Sequence, residues 1–427
     1  MHLANHLLLL LAALLALSHG HLHPQHKGQG GTNSSHQQVP GTDEGSPSLR
    51  IAPGNTNFAL RFYHLIASES PKKNIFFSPL SISAALAMLS LGARSHSQTQ
   101  MLQGLGFNLT ELSESDIHGG FQHLLHNLNL PSRELAMHVG SALFLNQDLP
   151  FLPKFLNETT AFYESRLFHT DFSDTVGTTQ LINNHVKQET QGKIVDLVSK
   201  LSTDTLMVLV NYVYFKALWE KPFATSRTTH RAFYVDESTT VQVPMMVQDN
   251  EHHWYLHDRY LPCSVLRMDY KGDATALFIL PNQGKMKELE EVLTPEMLRR
   301  WNNLLQKRNF YRKLELHFPK FSISGSYTLH QILPKLGFHD LFSPRANFSG
   351  ITGQLKLQAP KSFHKATLDV NEAGTQATAA TSSSTRFLSA QHSHRVLWFN
   401  RPFFLVILSG STQSVLFLGK VVDPTQP

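Results

Sequence analysis

Asn371–Ser389 reads NEAGTQATAATSSSTRFLS, and from Gly374 to Ser384 nearly every side chain is small: Gly, Thr, Gln, Ala and Ser. Such a run cannot fill a core, yet it carries too few charges for an ordinary solvated linker. Its composition suits a strand that must slide between strands already in place, where bulky side chains would clash. So threaded, Thr375, Ala377, Ala379 and Thr381 would line one face of a sheet, and Gln376, Thr378 and Ala380 the other. The larger pair Phe387 and Leu388 closes the run, where a protease could read it. On composition alone, a flexible Ser/Thr/Ala loop is the commoner reading. The flanking sequence decides against it.

Upstream lies Phe363–Thr375, FHKATLDVNEAGT; downstream come Phe399–Phe403, FNRPF, and Phe417–Pro424, FLGKVVDP. Near the other end, Asn74–Ser83 reads NIFFSPLSIS and runs into the apolar Ala84–Leu89, AALAML. The middle contributes Asn211–Trp219, NYVYFKALW, and Pro319-Lys320-Phe321. In this order, from about residue 51 to the C-terminus, the blocks resemble the serpin family and, within it, the secreted antitrypsin-like group. The resemblance implies an α+β serpin fold. That fold has a large central, mostly antiparallel sheet, additional sheets, surrounding helices and an exposed reactive-centre loop, here about 372–398. A single domain over 51–427 is expected.

Bulk properties agree. With 427 residues, 41% of them hydrophobic and 16% charged, the chain can bury one large core. A net charge of +5 does not by itself argue for nucleic acid, but 25 histidines would add positive charge as pH falls. The single cysteine, Cys263, excludes an internal disulfide and reads as a half-buried, inert thiol among Leu261, Val265 and Leu266.

Residues 1–20 read as a secretory signal, with an apolar stretch from Leu7 to Leu17 and small residues at Ser18 and Gly20. Residues 21–50, rich in His, Gly, Gln and Ser, have too few apolar side chains to offset their ordering entropy and read as a disordered tail. No later apolar stretch reaches eighteen residues, so no membrane span is expected. Sequons at Asn33, Asn108, Asn157 and Asn347 fit an exported glycoprotein, Asn347 falling in a segment that resembles packed core.

Beyond the tail, helical and strand patterns alternate. Asn57–Ile66 predicts a first helix and Ser113-Glu114-Ser115-Asp116 opens another, through Leu130. Strands are predicted near Leu206–Phe215, Thr239–Met246, Cys263–Met268, Ala276–Leu280 and Leu314–Phe318, with two more between Phe403 and Val422. No Gly-x-Ser-x-Gly elbow, phosphate-binding glycine loop or paired-cysteine zinc site is present. The cluster Glu251-His252-His253 with His257 lacks the His-Glu-x-x-His pattern and reads as solvated strand or loop histidines. No enzyme activity, cofactor or metal is expected, and a monomer is.

The resemblance implies inhibition of serine proteases by suicide trapping. A protease attacks the loop and forms an acyl-enzyme; the cut loop then enters the central sheet as an extra strand, carrying the enzyme with it. The hinge residues Glu372, Gly374, Thr375, Ala377, Ala379 and Ala380 fit the inhibitory pattern. Gln376 and Thr378 depart from it on the outward face, where polarity costs little. No proline and no inward charge obstructs insertion. The alternative is a non-inhibitory member acting as a hormone carrier or as an extracellular heparin-binding ligand.

Counting from the hinge puts the bait bond at Leu388-Ser389. A leucine suits a hydrophobic primary pocket, so chymotrypsin-like enzymes are the first target, with Phe387 in the adjacent subsite. Tissue kallikrein is the second target implied, although relatives that carry it have Phe-Phe where this chain has Phe387-Leu388. Arg386-Phe387 is a competing cleavage site for trypsin-like enzymes. The resemblance also implies a heparin site at Lys307, Arg308, Arg312 and Lys313, with Arg299-Arg300 on a preceding helix. Closely spaced cations attract a polyanion by releasing its counterions. The competing reading is a solvated face offset by Glu288, Glu290, Glu291 and Glu296. A second helix, with only His118, His123 and His126, is a poor heparin site at neutral pH.

Overall fold

The longest helix among the described residues, α1 (Pro47–Glu69), begins inside the segment read as tail, so residues 47–50 are helical. Pro53 and Gly54, which ordinarily punctuate helices, lie within it and concealed its first turns. Packing overrides their propensity. Ile51, Ala52 and Phe58 are buried, and the position a Gly54 Cβ would occupy lies 2.6 Å from the Phe107 ring.

The computed structural model describes residues 45–354, 357–375 and 395–427, all within the compact unit Asp43–Pro427. The predicted signal, the tail before residue 45, Asn33, and the loop positions Ala377, Ala379, Ala380, Arg386, Phe387, Leu388 and Ser389 lie outside the described residues.

After α1 come β1 (Ile75–Phe77) and α2 (Pro79–Ser90). The latter has Pro at its start, a Ser78 side chain accepting from the Ser81 amide, and every residue buried, as a helix apolar all round must be. Helices α3 (His96–Gly104) and α4 (Glu114–Asn129) follow, α4 opened by a capping box between Ser113 and Asp116. The chain continues through β2 (Leu135–Asn146), α5 (Pro153–Tyr163), β3 (Arg166–Thr170), α6 (Thr175–Glu189) and β4 (Met207–Leu218). Four strands are next: β5 (Thr229–Tyr234), β6 (Thr240–His257), β7 (Cys263–Asp269) and β8 (Ala274–Pro281). Helices α7 (Met286–Val292) and α8 (Pro295–Leu304) precede β9 (Tyr311–Pro319) and β10 (Phe321–Thr328). The end is β11 (Lys361–Val370), the two-residue β12 (Gly374–Thr375), β13 (Arg395–Trp398), β14 (Phe403–Ser409) and β15 (Val415–Val421).

Two sheets result. One has nine strands in the order β1-β15-β14-β8-β7-β6-β9-β13, with β5 on β6. The other has six in the order β10-β11-β12-β4-β2-β3, mostly antiparallel, with β4 against β11 and β2 against β3 running parallel. In the six-stranded sheet β4 is buried along nearly its whole length, whereas β11 alternates and buries Ser362, His364, Ala366, Leu368 and Val370. Its faces meet two apolar clusters. The larger holds Phe58, Phe62, Leu80 and Met88; the smaller holds Phe144, Ile182, Val186 and Val210 beneath α6.

Candidate functional site

The first site is the seam between β4 and β11. Over Lys361–Ala366 the two strands pair directly and in parallel with Val208–Val213. Beyond that they part, and β12 fills the gap, antiparallel to both: Thr375 pairs with Val370 and Ala217, Gly374 with Leu218. The hinge is thus already seated. The sequence placed 372–375 at the start of an exposed loop, but Gly374 and Thr375 are buried strand residues.

Long-range contacts hold the hinge there. The Trp219 amide donates to Ala373 O (2.9 Å), the Phe223 amide to Glu372 O (2.8 Å) and the Trp219 indole to Asn371 O (3.0 Å). Trp219 stacks on Tyr270 at 4.2 Å, and the Tyr270 hydroxyl lies 3.1 Å from Thr375 Oγ1. The Glu372 carboxylate accepts from Thr228 Oγ1 (2.8 Å) and Lys320 Nζ (3.1 Å). Burial alone would raise its pKa, but bonds from its own amide, Thr228 and Lys320 outweigh this and hold the carboxyl below its ordinary value. Gly374 has φ +147°, and a Cβ there would lie 2.2 Å from the Ala217 carbonyl oxygen, so only glycine fits.

The closed part of the seam is locked by His364. The Ser78 amide donates to its Nε2 (3.0 Å), so the proton is on Nδ1, which donates to Asn211 Oδ1 (2.5 Å) across the seam. Asn211 in turn donates to Ser81 O (2.6 Å). Complete burial pushes the His364 pKa down to about 3.

The second site is the basic turn between α8 and β9. Lys307, Arg308, Arg312 and Lys313 are all exposed and have no carboxylate partner among the described residues. Arg308–Phe310 form a short 3-10 turn, in which Arg312 Nε donates to Asn309 O (3.1 Å) and its guanidinium lies over the Phe310 ring. Arg299 and Arg300, grouped with these cations by sequence, are engaged elsewhere. Arg299 faces Glu296 at 3.6 Å, and Arg300 bonds Asp258, which also accepts from the Trp301 indole.

The acids expected to offset the patch have their own cations. Glu288 pairs with Lys285, Glu290 with the buried Lys420, and Glu291 with Lys287. On α4, His118 is buried against Tyr163, while His123 and His126 bond Ser48 and Glu164. The patch also adjoins the far end of the loop: Arg395, the first residue of β13, pairs with Leu314, next to Lys313.

Three further expectations meet the structure. Cys263 is buried, and burial pushes its thiol up to about 12, so it is inert. His252 and His257 are exposed strand residues, but His253 is buried, contrary to the solvated reading. Asn108 and Asn157 are exposed, whereas Asn347 is half-buried, its backbone bonded to Arg94 and Ser97.

A family model described as Serpin (serine protease inhibitor) matches residues 53–424. The chain therefore belongs to the serpin family. It is 75% identical over 426 residues, covering all of both chains, to kallistatin of Pongo abelii. A crystal structure of human glycosylated kallistatin superposes with a TM-score of 0.86 at 75% identity, covering 90% of this chain and all of that one. A structure of cleaved kallistatin complexed with heparin gives 0.75 at 77% identity, covering 77% of this chain and 96% of that one. Within the family, then, the chain is kallistatin-like.

Proposed function

We propose that this is a secreted glycoprotein that traps serine proteases covalently by inserting its cleaved loop into the six-stranded sheet. One observation carries the reading. β12 already runs antiparallel to both β4 and β11, the orientation that its three-residue link from the end of β11 imposes on any strand continuing it between them. The small residues after Thr375 are what would follow it. From Gly374 to Leu388 an extended loop reaches roughly 46 Å at about 3.3 Å per residue. A displacement on that scale would pull the acyl-enzyme's oxyanion hole out of the fixed geometry that deacylation needs.

Chymotrypsin-like enzymes are the first targets, through Leu388 with Phe387 behind it, and tissue kallikrein is the second. Mixing the protein with chymotrypsin should give a 1:1 complex that survives boiling in detergent and releases a peptide beginning at Ser389. Leu388→Arg should move complex formation toward trypsin-like enzymes. Cleavage without any complex would contradict trapping and leave the carrier reading in its place.

Lys307, Arg308, Arg312 and Lys313 form the heparin site of this reading, supported by their exposure without carboxylate partners and by the kallistatin–heparin complex of a relative. Because β13 starts beside Lys313, bound heparin would stand near the loop's far end and slow an approaching protease. Changing all four residues to Ala should abolish both retention on heparin at physiological salt and its effect on association rate. Acceleration by heparin, or an equal effect in both proteins, would remove the patch from the mechanism.

A further inference from the structure

Across the β9–β6 ladder, Lys313 pairs directly with His252, and both are exposed. The His252 ring stacks on Tyr311, centroids 5.4 Å apart and planes at 29°, and Tyr311 also meets Trp254 at 4.6 Å. From the segment after β4, Lys221 donates to His252 O (2.8 Å) and to the Tyr311 hydroxyl (2.7 Å). The imidazole is thus held on an aromatic ledge that continues the basic turn onto the neighbouring strand.

The charged groups around it come from four elements. β6 itself supplies Glu251 and His253; β9 supplies Arg312 and Lys313. The segment after β4 supplies Glu220 and Lys221, and β7 supplies Arg267 and Asp269. Two of the carboxylates already face cations, Glu251 at 3.9 Å from Lys221 and Asp269 at 2.7 Å from Arg267. The neighbouring histidines are otherwise employed. Burial, with Lys221 and His252 nearby, pushes His253 down to about 4. His257 lies 3.2 Å from Ser264, and His317 is held 2.6 Å from Glu315 and stacked on Trp398.

We propose that His252 is a further contact of the polyanion site, recruited by protonation. A sulfated polysaccharide lying on Lys307, Arg308, Arg312 and Lys313 gains His252 as the solution becomes acidic, and capture tightens. The inference rests on the polyanion reading above. Histidine changes charge between pH 5 and 8. A sulfate seated on Lys313 would lie beside the ring paired with that lysine, and its negative charge would favour the protonated imidazole over the neutral one. Binding and proton uptake are therefore linked, each favouring the other.

The test is heparin binding over a salt series at about pH 7.5 and about pH 5.5, for wild type, His252→Ala, His252→Lys and the quadruple alanine variant. In wild type, the slope of log affinity against log salt should steepen by up to about 0.7–0.9 on acidification, the increment of one phosphate-like contact. His252→Ala should keep wild-type binding at the higher pH and lose the increment. His252→Lys should show the steeper slope at both. Calorimetry in buffers of different ionisation heat should register proton uptake on binding in wild type and a reduced uptake in His252→Ala. An equal acid gain in His252→Ala, or none in wild type, would overturn the assignment. Wild-type binding by the quadruple variant would instead overturn the polyanion reading itself.

Discussion

Glu372 and Gly374 do different work at the hinge. Glu372 anchors its entry by charge: its carboxylate joins Lys320 on the link between β9 and β10 to Thr228 beside β5. Replacing it by Gln keeps the shape but removes the charge, and should cost about 1.5–3 kcal/mol in equilibrium or kinetic unfolding, the range for a bond to an ionised group. Because the folded carboxyl titrates below its ordinary value, its contribution is present above that value and is lost as pH falls through the folded pKa. The gap between wild type and Glu372→Gln should therefore close in acid. A gap independent of pH would show that shape, not charge, holds the hinge. Gly374 acts through the absence of a side chain. Gly374→Ala would press a methyl against Ala217 and Leu218 in the seated hinge and again in any inserted strand that starts there, at about 1–3 kcal/mol for the strained backbone. Insertion should slow relative to deacylation, and more than one inhibitor molecule should be consumed per protease trapped. A stoichiometry still at unity would contradict this.

Among the elements, the seam of β4 and β11 is where stability would oppose function under the proposed insertion. The parallel pairing at Lys361–Ala366 must break for a strand to enter, and with it the His364–Asn211 bond. His364 stays neutral in the fold down to about pH 3, while an unfolded histidine gains its proton near pH 6.5. Its contribution is complete above the unfolded value and declines between the two, by on the order of 5 kcal/mol. Thermal unfolding followed from neutral pH to about pH 4 should fall more steeply for wild type than for His364→Gln. Parallel curves would show that the seam does not sense protonation through this residue.

Much at this scale was legible in the chain, for reasons that are local. The Ser113–Asp116 box marks its own helix, and the apolar runs of β4, β14 and β15 announce buried strands. What escaped depends on distant partners. The seating of Gly374 and Thr375 is decided by Trp219 and Tyr270, more than a hundred residues away. Arg300 looks like a free cation until Asp258 is brought to it. β6 was expected to end at Met246, because Gln248–His253 breaks the alternation of polar and apolar residues. Pairing with β9 carries the strand on to Trp254 and so sets His252 beside Lys313, and pairing with β7 carries it to His257.

For the molecule as a whole, the proposed trapping requires that the chain can make more sheet than its described residues form. A six-stranded sheet is held shut along most of one seam and opened at its end by two residues of hinge. Completing the strand would replace one parallel ladder by two antiparallel ones, so the inserted state is expected to lie lower in free energy, with the native state kept by a kinetic barrier. The basic turn adjoins the start of β13 through β9, so a polyanion bound there as proposed would act on the approach of a protease without touching the seam. The most direct measurement of this account is the melting temperature of the protein before and after a single cut within 376–394. Insertion predicts that the cleaved protein, its fragments still associated, melts higher by at least about 10 °C, several kcal/mol of added stability for a chain of this size. A cleaved protein that melts at or below the temperature of the intact one would contradict it.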